Sequence, residues 1–100
     1  MLEPAYGEPA YGEHVIPVLD GIESDPDRRA LWNAICDVID LICDRPDSAE
    51  ARREPIRIPS GVAVWQVPIR CPVEDDDWVL LWYPDDKDAV IAYVGSRMFR

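Results

Sequence analysis

The chain has 100 residues, with ten lysines and arginines against twenty aspartates and glutamates, and a formal net charge of −10 at neutral pH. This length fits a single domain with one modest core, and the ordinary share of apolar residues excludes wholesale disorder. The acidity disfavours unaided binding to nucleic acid, and the absence of a long apolar run or a signal peptide predicts a cytoplasmic protein without a membrane segment.

The chain begins with a direct repeat of the pentapeptide Glu-Pro-Ala-Tyr-Gly, over residues 3–12. Its prolines and glycines predict a flexible tail over residues 1–13, with the folded domain over residues 14–100. Residues 14–21 form a short apolar run before an Asp-Gly turn, which predicts an N-terminal edge strand because Pro17 cannot donate to a ladder. The only histidine, His14, is then an exposed residue at the start of this strand, with no visible partner for base catalysis.

The next segment has the clearest helical pattern in the chain. Ser24 or Asp25 is placed to cap it, Pro26 suits its first turn, and Arg45 with Pro46 ends it. Apolar residues at helical spacing predict a core-facing stripe: Leu31, Trp32, Ile35, Val38, Ile39, Ile42 and Cys43. The opposite side carries polar residues that we interpret as a solvated face and not as a metal site: Asn33, Asp37, Asp40 and Asp44. The three cysteines, Cys36, Cys43 and Cys71, lack metal-type spacing and are expected to be reduced thiols.

Three apolar runs, over residues 62–69, 78–83 and 89–94, organise the second half of the chain. They are rich in β-branched and aromatic residues, and the connections between them are short and polar, which predicts a three-stranded antiparallel meander. Alternation in the first run predicts an inward set of side chains: Ala63, Trp65, Val67, Ile69 and Cys71. Residues 47–54 fit either a further helical turn or a loop, and residues 55–59 are extended. The fold class that follows is α+β, with one main helix packed on the meander.

This order of elements resembles the RelE/ParE superfamily of toxin–antitoxin toxins. The local matches are the helix that ends in an Asp-Arg-Pro stop at residues 44–46, Gly61 before a strand that contains Trp65, the run of residues 77–82, and a last strand that ends at residues 94–97. The resemblance covers about residues 14–97. It implies a toxin of a type II system that is either a ribosome-dependent mRNA endoribonuclease or a non-cleaving inhibitor of a gyrase-like protein target, with a cognate antitoxin as partner and with no cofactor or metal.

The resemblance also implies a set of functional residues. Arg97, and with it Arg70, match family positions that contact RNA, and would act catalytically by stabilising phosphate charge. Arg57 and Arg100 would assist binding, whereas Trp78 and Trp82 share a strand face that is expected to be core or antitoxin interface. The family's usual C-terminal Tyr or His is missing, with Phe99 nearby, so no general acid–base pair is evident.

A second hypothesis follows from the charge. A small acidic binding or inhibitor protein, similar in role to an immunity protein or an antitoxin, would use its carboxylates to cover a basic partner. That function would lie at Asp37, Asp40, Asp44 and the acidic loop of residues 75–77, whereas the toxin hypothesis places function at Arg70 and Arg97. A halophilic or high-GC host would produce the same acidity without a functional cause.

Overall fold

The computed structural model describes residues 9–57, 63–85 and 88–97, which form an α+β fold with two helices and a five-stranded mixed sheet. In chain order the elements are β1 (Ala10–Tyr11), α1 (Val15–Glu23), a 3-10 turn (Pro26–Arg28), α2 (Arg29–Asp44), β2 (Glu54–Arg57), β3 (Ala63–Ile69), β4 (Trp78–Asp85) and β5 (Asp88–Ser96). Both helices pack on one face of the sheet. No helix in the described part of the chain is long and apolar enough to cross a membrane.

The sheet has the strand order β1-β5-β4-β3-β2. Strands β2 to β5 pair antiparallel, so the predicted meander is present as β3, β4 and β5. The prediction of a three-stranded meander with one N-terminal edge strand and one helix is confirmed only as an α+β fold, because the sheet has five strands and the meander is extended on both sides. Strand β2 pairs antiparallel with β3, and β1 pairs parallel with β5.

Residues 14–21 do not form the predicted edge strand. Helix α1 lies there instead, and its buried side chains follow a four-three spacing that is typical of a helix: Val15, Leu19 and Ile22. Pro17 lies in the first turn of α1, where its missing N–H removes no intrahelical hydrogen bond, so proline was compatible with a helix as well as with an edge strand. His14 is exposed at the N-cap position and its side chain makes no capping hydrogen bond.

The N-terminal strand comes from the segment that was expected to be a tail. Ala10 and Tyr11, in the second copy of the pentapeptide repeat, pair with Val90 and Ile91 of β5. The backbone N–H of Gly12 donates to the carbonyl oxygen of Ile91 at 2.9 Å, which extends this pairing by one residue. The first copy, residues 3–7, lies outside the described residues.

Helix α2 confirms the sequence pattern. The Asp25 carboxylate accepts a hydrogen bond from the Asp27 backbone N–H at 2.9 Å, and Pro26 lies at the start of the 3-10 turn that leads into α2. The stripe that faces the sheet is buried at Leu31, Ile35, Ile39, Ile42 and Cys43. The polar side is exposed as expected at Asn33, Asp37, Asp40 and Asp44. The helix ends at Asp44, one residue before Arg45.

A bulge in β5 sets which side chains reach the core. Leu81 lies opposite Tyr93 and Trp82 lies opposite Ile91, so Ala92 is an extra residue in the ladder. Ile91 and Val94 therefore both face the helices, although simple alternation would place them on opposite faces.

On β3 the alternating set is mostly as predicted. Trp65, Val67, Ile69 and Cys71 belong to the core on the helix side of the sheet, whereas Ala63, the first residue of the strand, is exposed. The opposite face carries a smaller cluster of Val64, Val79 and Leu81, against which Ile56, Tyr83 and Tyr93 pack.

All three cysteines are free thiols. Burial raises the pKa of Cys36 and of Cys43 above the ordinary value, and nearby aspartates of α2 add to both shifts. These thiols are therefore protonated and unreactive near neutral pH.

Candidate functional site

The structure brings the two arginines that were predicted to be catalytic to one groove. In the sheet, Ile69 and Ser96 lie on either side of Trp78, the first residue of the central strand β4. Arg70 and Arg97 are the next residues after those two strand ends, so antiparallel pairing places them on either side of the start of β4. Both line an open groove of about 470 Å³. We call it the strand-end groove.

Arg97 is held by a carboxylate that was not predicted to be near it. Its Nη2 atom donates to both carboxylate oxygens of Glu54, at 2.9 and 2.7 Å. Glu54 also accepts a hydrogen bond of 2.7 Å from Nε2 of Gln66, and the backbone N–H of Arg97 donates to the Asp77 carbonyl oxygen at 2.8 Å. The catalytic prediction required the positive charge of Arg97 to stabilise a phosphate. Glu54 neutralises that charge, so a phosphate would have to compete with Glu54 for Arg97.

The pairing also shifts the titration of Glu54. Hydrogen bonds from Arg97, and secondarily from Gln66, hold the pKa of the Glu54 carboxyl below its ordinary value of 4.5. A depressed pKa in the folded state means that ionised Glu54 stabilises the fold above the unfolded-state pKa. That stabilisation is lost as the pH falls through the lower, folded-state pKa.

We therefore expect Glu54→Gln to destabilise the protein at about pH 7 and to destabilise it less at about pH 3, because the contribution of the ionised carboxyl declines once the pH is below its ordinary value of 4.5. Urea denaturation of both proteins at the two pH values measures this difference. Glu50→Gln, a change at an exposed carboxylate, serves as the control. A deficit of the same size at both pH values would show that the ionised Glu54–Arg97 pair is not its cause.

The strand-end groove has mixed charge. Arg70 is exposed, and within the described residues its side chain forms no ion pair or hydrogen bond. Carboxylates of Glu74, Asp76 and Asp77 line the same groove. Among the described residues that line it there is no histidine or tyrosine, the residue types that the RelE branch uses for acid–base chemistry.

The two tryptophans that were predicted to bind a partner have different environments. Trp82 is fully buried in the core, and its indole N–H donates to the Ala51 carbonyl oxygen at 2.7 Å, so it contacts no partner in this fold. Trp78 is half-buried and lines the strand-end groove, with the Arg28 guanidinium 5.1 Å from its ring centroid. Arg28 is in turn bound to Glu74 at 2.8 Å. Of the pair, only Trp78 remains available to a partner.

Arg57 and Arg100 are the remaining predicted binding residues. Arg57 ends β2 opposite Ala63, but its side chain is outside the described part of the chain, as is the whole of Arg100. In the described ranges, no group of three or more His, Cys, Asp or Glu residues is placed to hold a metal ion.

Sequence reasoning did not identify Arg52, which lies in the loop between α2 and β2. Its Nε donates to the Pro46 carbonyl oxygen at 2.7 Å, and its Nη2 lies 3.1 Å from the Asp47 carboxylate. The guanidinium also lies over Trp65, 4.4 Å from the ring centroid. Arginines often stack on tryptophan, which is a general reason to consider Arg52. The contact with Trp65, however, forms between residues that are distant in the sequence, so the spacing of residues does not reveal it.

A second groove, between α2 and β3, was also missed. It has a volume of about 320 Å³ and shares Pro68 and Arg70 with the strand-end groove. Its floor and walls are apolar at Ala34, Val38, Leu41, Val67 and Pro68, and its rim is charged at Asp37, Glu50, Arg53 and Arg70. We call it the α2–β3 groove.

The two grooves meet at Arg70, the one residue that the sequence placed in the site and that the structure leaves exposed and without an ion pair among the described residues. The described residues of both grooves offer contact surfaces of mixed charge, without a histidine or tyrosine. Comparison with known proteins gives no match to a family model, to a curated protein or to a solved structure.

Proposed function

We propose that this protein is a divergent RelE/ParE-like toxin of a type II toxin–antitoxin system that acts by binding a gyrase-like protein target and does not cleave RNA. The observation that carries the proposal is that Arg97, which lines the strand-end groove, is ion-paired with Glu54, while the groove itself is lined by three carboxylates. It removes a cation from phosphate binding while leaving a surface suited to protein contacts.

The order of elements supports the toxin part of the proposal. The resemblance rests on a short N-terminal strand at residues 14–21, one helix with a proline stop and three antiparallel strands. The described chain has α2 and the meander in that order, whereas its N-terminal strand is β1, ahead of the matched residues, and the additional helix α1 follows it. The two family-matched arginines also lie together at one end of the sheet.

The site chemistry supports the non-cleaving part. RNA cleavage needs a group that takes the 2′ proton, a group that protonates the leaving oxygen, and cations beside the phosphate. The strand-end groove offers one exposed arginine and three carboxylates. The overall charge of −10 further disfavours ribosomal RNA or mRNA as the direct target. A cognate antitoxin would neutralise this toxin by covering the grooves around Arg70.

Tightly controlled expression in bacteria tests the proposal. We expect the wild-type chain to arrest growth while mRNA stays intact, and Arg70→Ala to relieve the arrest. Arg29→Ala, a change at an exposed arginine outside both grooves, should arrest growth like the wild type. Cleavage of mRNA at defined sites during arrest would contradict the non-cleaving mechanism.

A specific observation favours the acidic inhibitor as the second candidate. Asp37, Asp40 and Asp44 form one exposed stripe along α2, and the carboxylates of residues 75–77 are exposed as well. Normal growth with folded protein present would contradict the toxin and favour this function. Its partner would then present a basic surface to α2.

A further inference from the structure

The α2–β3 groove has the composition of a protein-binding surface. Its apolar floor is bounded on one side by Val38 and Leu41 of α2 and on the other by Val67 and Pro68 of β3. An apolar centre inside a charged rim is the usual anatomy of a protein–protein interface, and a volume of about 320 Å³ can receive apolar side chains of a partner.

The edge of β3 indicates how a partner can bind there. Strand β2 pairs with residues 63–66 of β3, and no described strand pairs with the same edge at residues 67–69. Pro68 lies in the middle of that segment and has no N–H to donate, so it opposes the addition of another strand. A partner would therefore be recognised through its side chains and not by strand addition. An amphipathic helix bound in the groove recognises a surface in this way.

The rim specifies the charges on that helix. Asp37 lies on the α2 side, Arg70 at the end of β3, and Glu50 with Arg53 on the connecting loop. Within the described residues, none of these four side chains forms an ion pair or a hydrogen bond. A partner with an apolar stripe and flanking charges of both signs would therefore pair with rim groups that form no ion pair or hydrogen bond with the described residues.

We propose that the α2–β3 groove binds an amphipathic helix of a partner protein. Two apolar side chains four residues apart would lie on the floor between Val38 and Pro68. A carboxylate would lie beside Arg70 and Arg53, and a lysine or arginine beside Asp37. The inference deepens the proposed function by naming a docking surface, and it rests on that function only for the existence of a protein partner.

A synthetic probe tests this surface directly. The probe is a stapled helix of about 15 residues with two leucines four positions apart, a glutamate on one flank and lysines on the other. The control peptide has the same composition, with the leucines on opposite sides of the helix. Binding to the isotope-labelled full chain is followed by NMR. We expect shifts at the amides of Ala34, Val38, Leu41 and Arg70, and affinity at least about tenfold weaker for the control peptide.

Two variants separate recognition from loss of folding. Leu41→Asp places a charge on the groove wall and should abolish binding. Arg70→Glu should weaken the glutamate probe and restore binding to a probe that carries lysine at that position, which a merely misfolded variant cannot do. Arg29→Glu, outside the groove, should bind like the wild type.

Shifts outside the groove, equal affinity for the control peptide, no binding, or failure of the charge exchange would each overturn the proposal. The outcome is independent of the growth assay. If the chain binds the probe specifically but is not toxic, the proposed docking surface stands and the proposed toxin function is contradicted. If the chain is toxic but does not bind the probe, the toxin function stands and the docking surface is contradicted.

Discussion

Trp82→Ala is expected to lower the free energy of unfolding by about 3–5 kcal/mol, a large part of the about 5–15 kcal/mol that holds a typical domain together. Trp82 is fully buried in the central strand β4, and its ring centroid lies 5.4 Å from that of Trp65 on β3. The substitution removes this packing, leaves a cavity between sheet and helices, and leaves the Ala51 carbonyl oxygen without the indole donor.

Urea denaturation followed by far-UV circular dichroism measures the effect. Trp82→Phe keeps most of the ring volume but removes the hydrogen bond to Ala51, so it should cost less than alanine, about 1–3 kcal/mol. Val73→Ala provides a matched control, because Val73 is 72% exposed and its truncation should change stability by less than about 0.5 kcal/mol. A loss below about 1 kcal/mol for Trp82→Ala would contradict its central place in the core.

Arg52→Ala is expected to cost about 2 kcal/mol, mainly through its contact with Trp65 and its hydrogen bond to the Pro46 carbonyl oxygen. The ion pair with Asp47 should contribute little, because the two side chains are 30% and 41% exposed. Since Arg52 ties the loop after α2 to the tryptophans of β3 and β4, its loss should also loosen the cover over Trp82.

The same urea denaturation measures the global loss, and hydrogen exchange at the Trp82 indole N–H measures the local one. Arg52→Lys keeps the charge but not the planar guanidinium, so its stability should fall between those of the wild type and Arg52→Ala. The neighbouring Arg53→Ala is the control, because Arg53 is exposed and should change stability by less than about 0.5 kcal/mol. Equal losses for Arg52→Ala and Arg53→Ala would show that the stacked geometry contributes nothing.

The candidate site was predictable where it depends on strand ends. Arg70 and Arg97 follow strands that both pair with β4, so antiparallel order brings them to one groove. Their electrostatics were not predictable. Glu54 lies 43 residues before Arg97, and only the five-stranded sheet brings its carboxylate within 2.7 Å of the guanidinium. The α2–β3 groove likewise exists only after α2 has packed on β3.

The sequence by itself determined the elements whose local pattern agrees with their burial. Helix α2 follows a 3-10 turn that Asp25 caps, and it has a full apolar stripe and a proline stop. Strands β3 to β5 are β-branched and aromatic runs between turn residues. In these segments the secondary-structure propensity, the spacing of apolar residues and the residues at the ends all favour the same structure. Residues that are close in the sequence were therefore sufficient to predict it.

Only the tertiary structure decided the segments whose local preferences are divided. Residues 15–23 are too short and too uniformly apolar to distinguish strand from helix, and burial of Val15, Leu19 and Ile22 against the rest of the core selects helix α1. Ala10 and Tyr11 become a strand because the edge of β5 offers backbone partners. The same holds for the bulge in β5, the stacking of Arg52 and the ion pair of Arg97, which all depend on groups that are distant in the sequence. Hydrogen bonds and packing between such groups produce no regular spacing of residues from which they could be predicted.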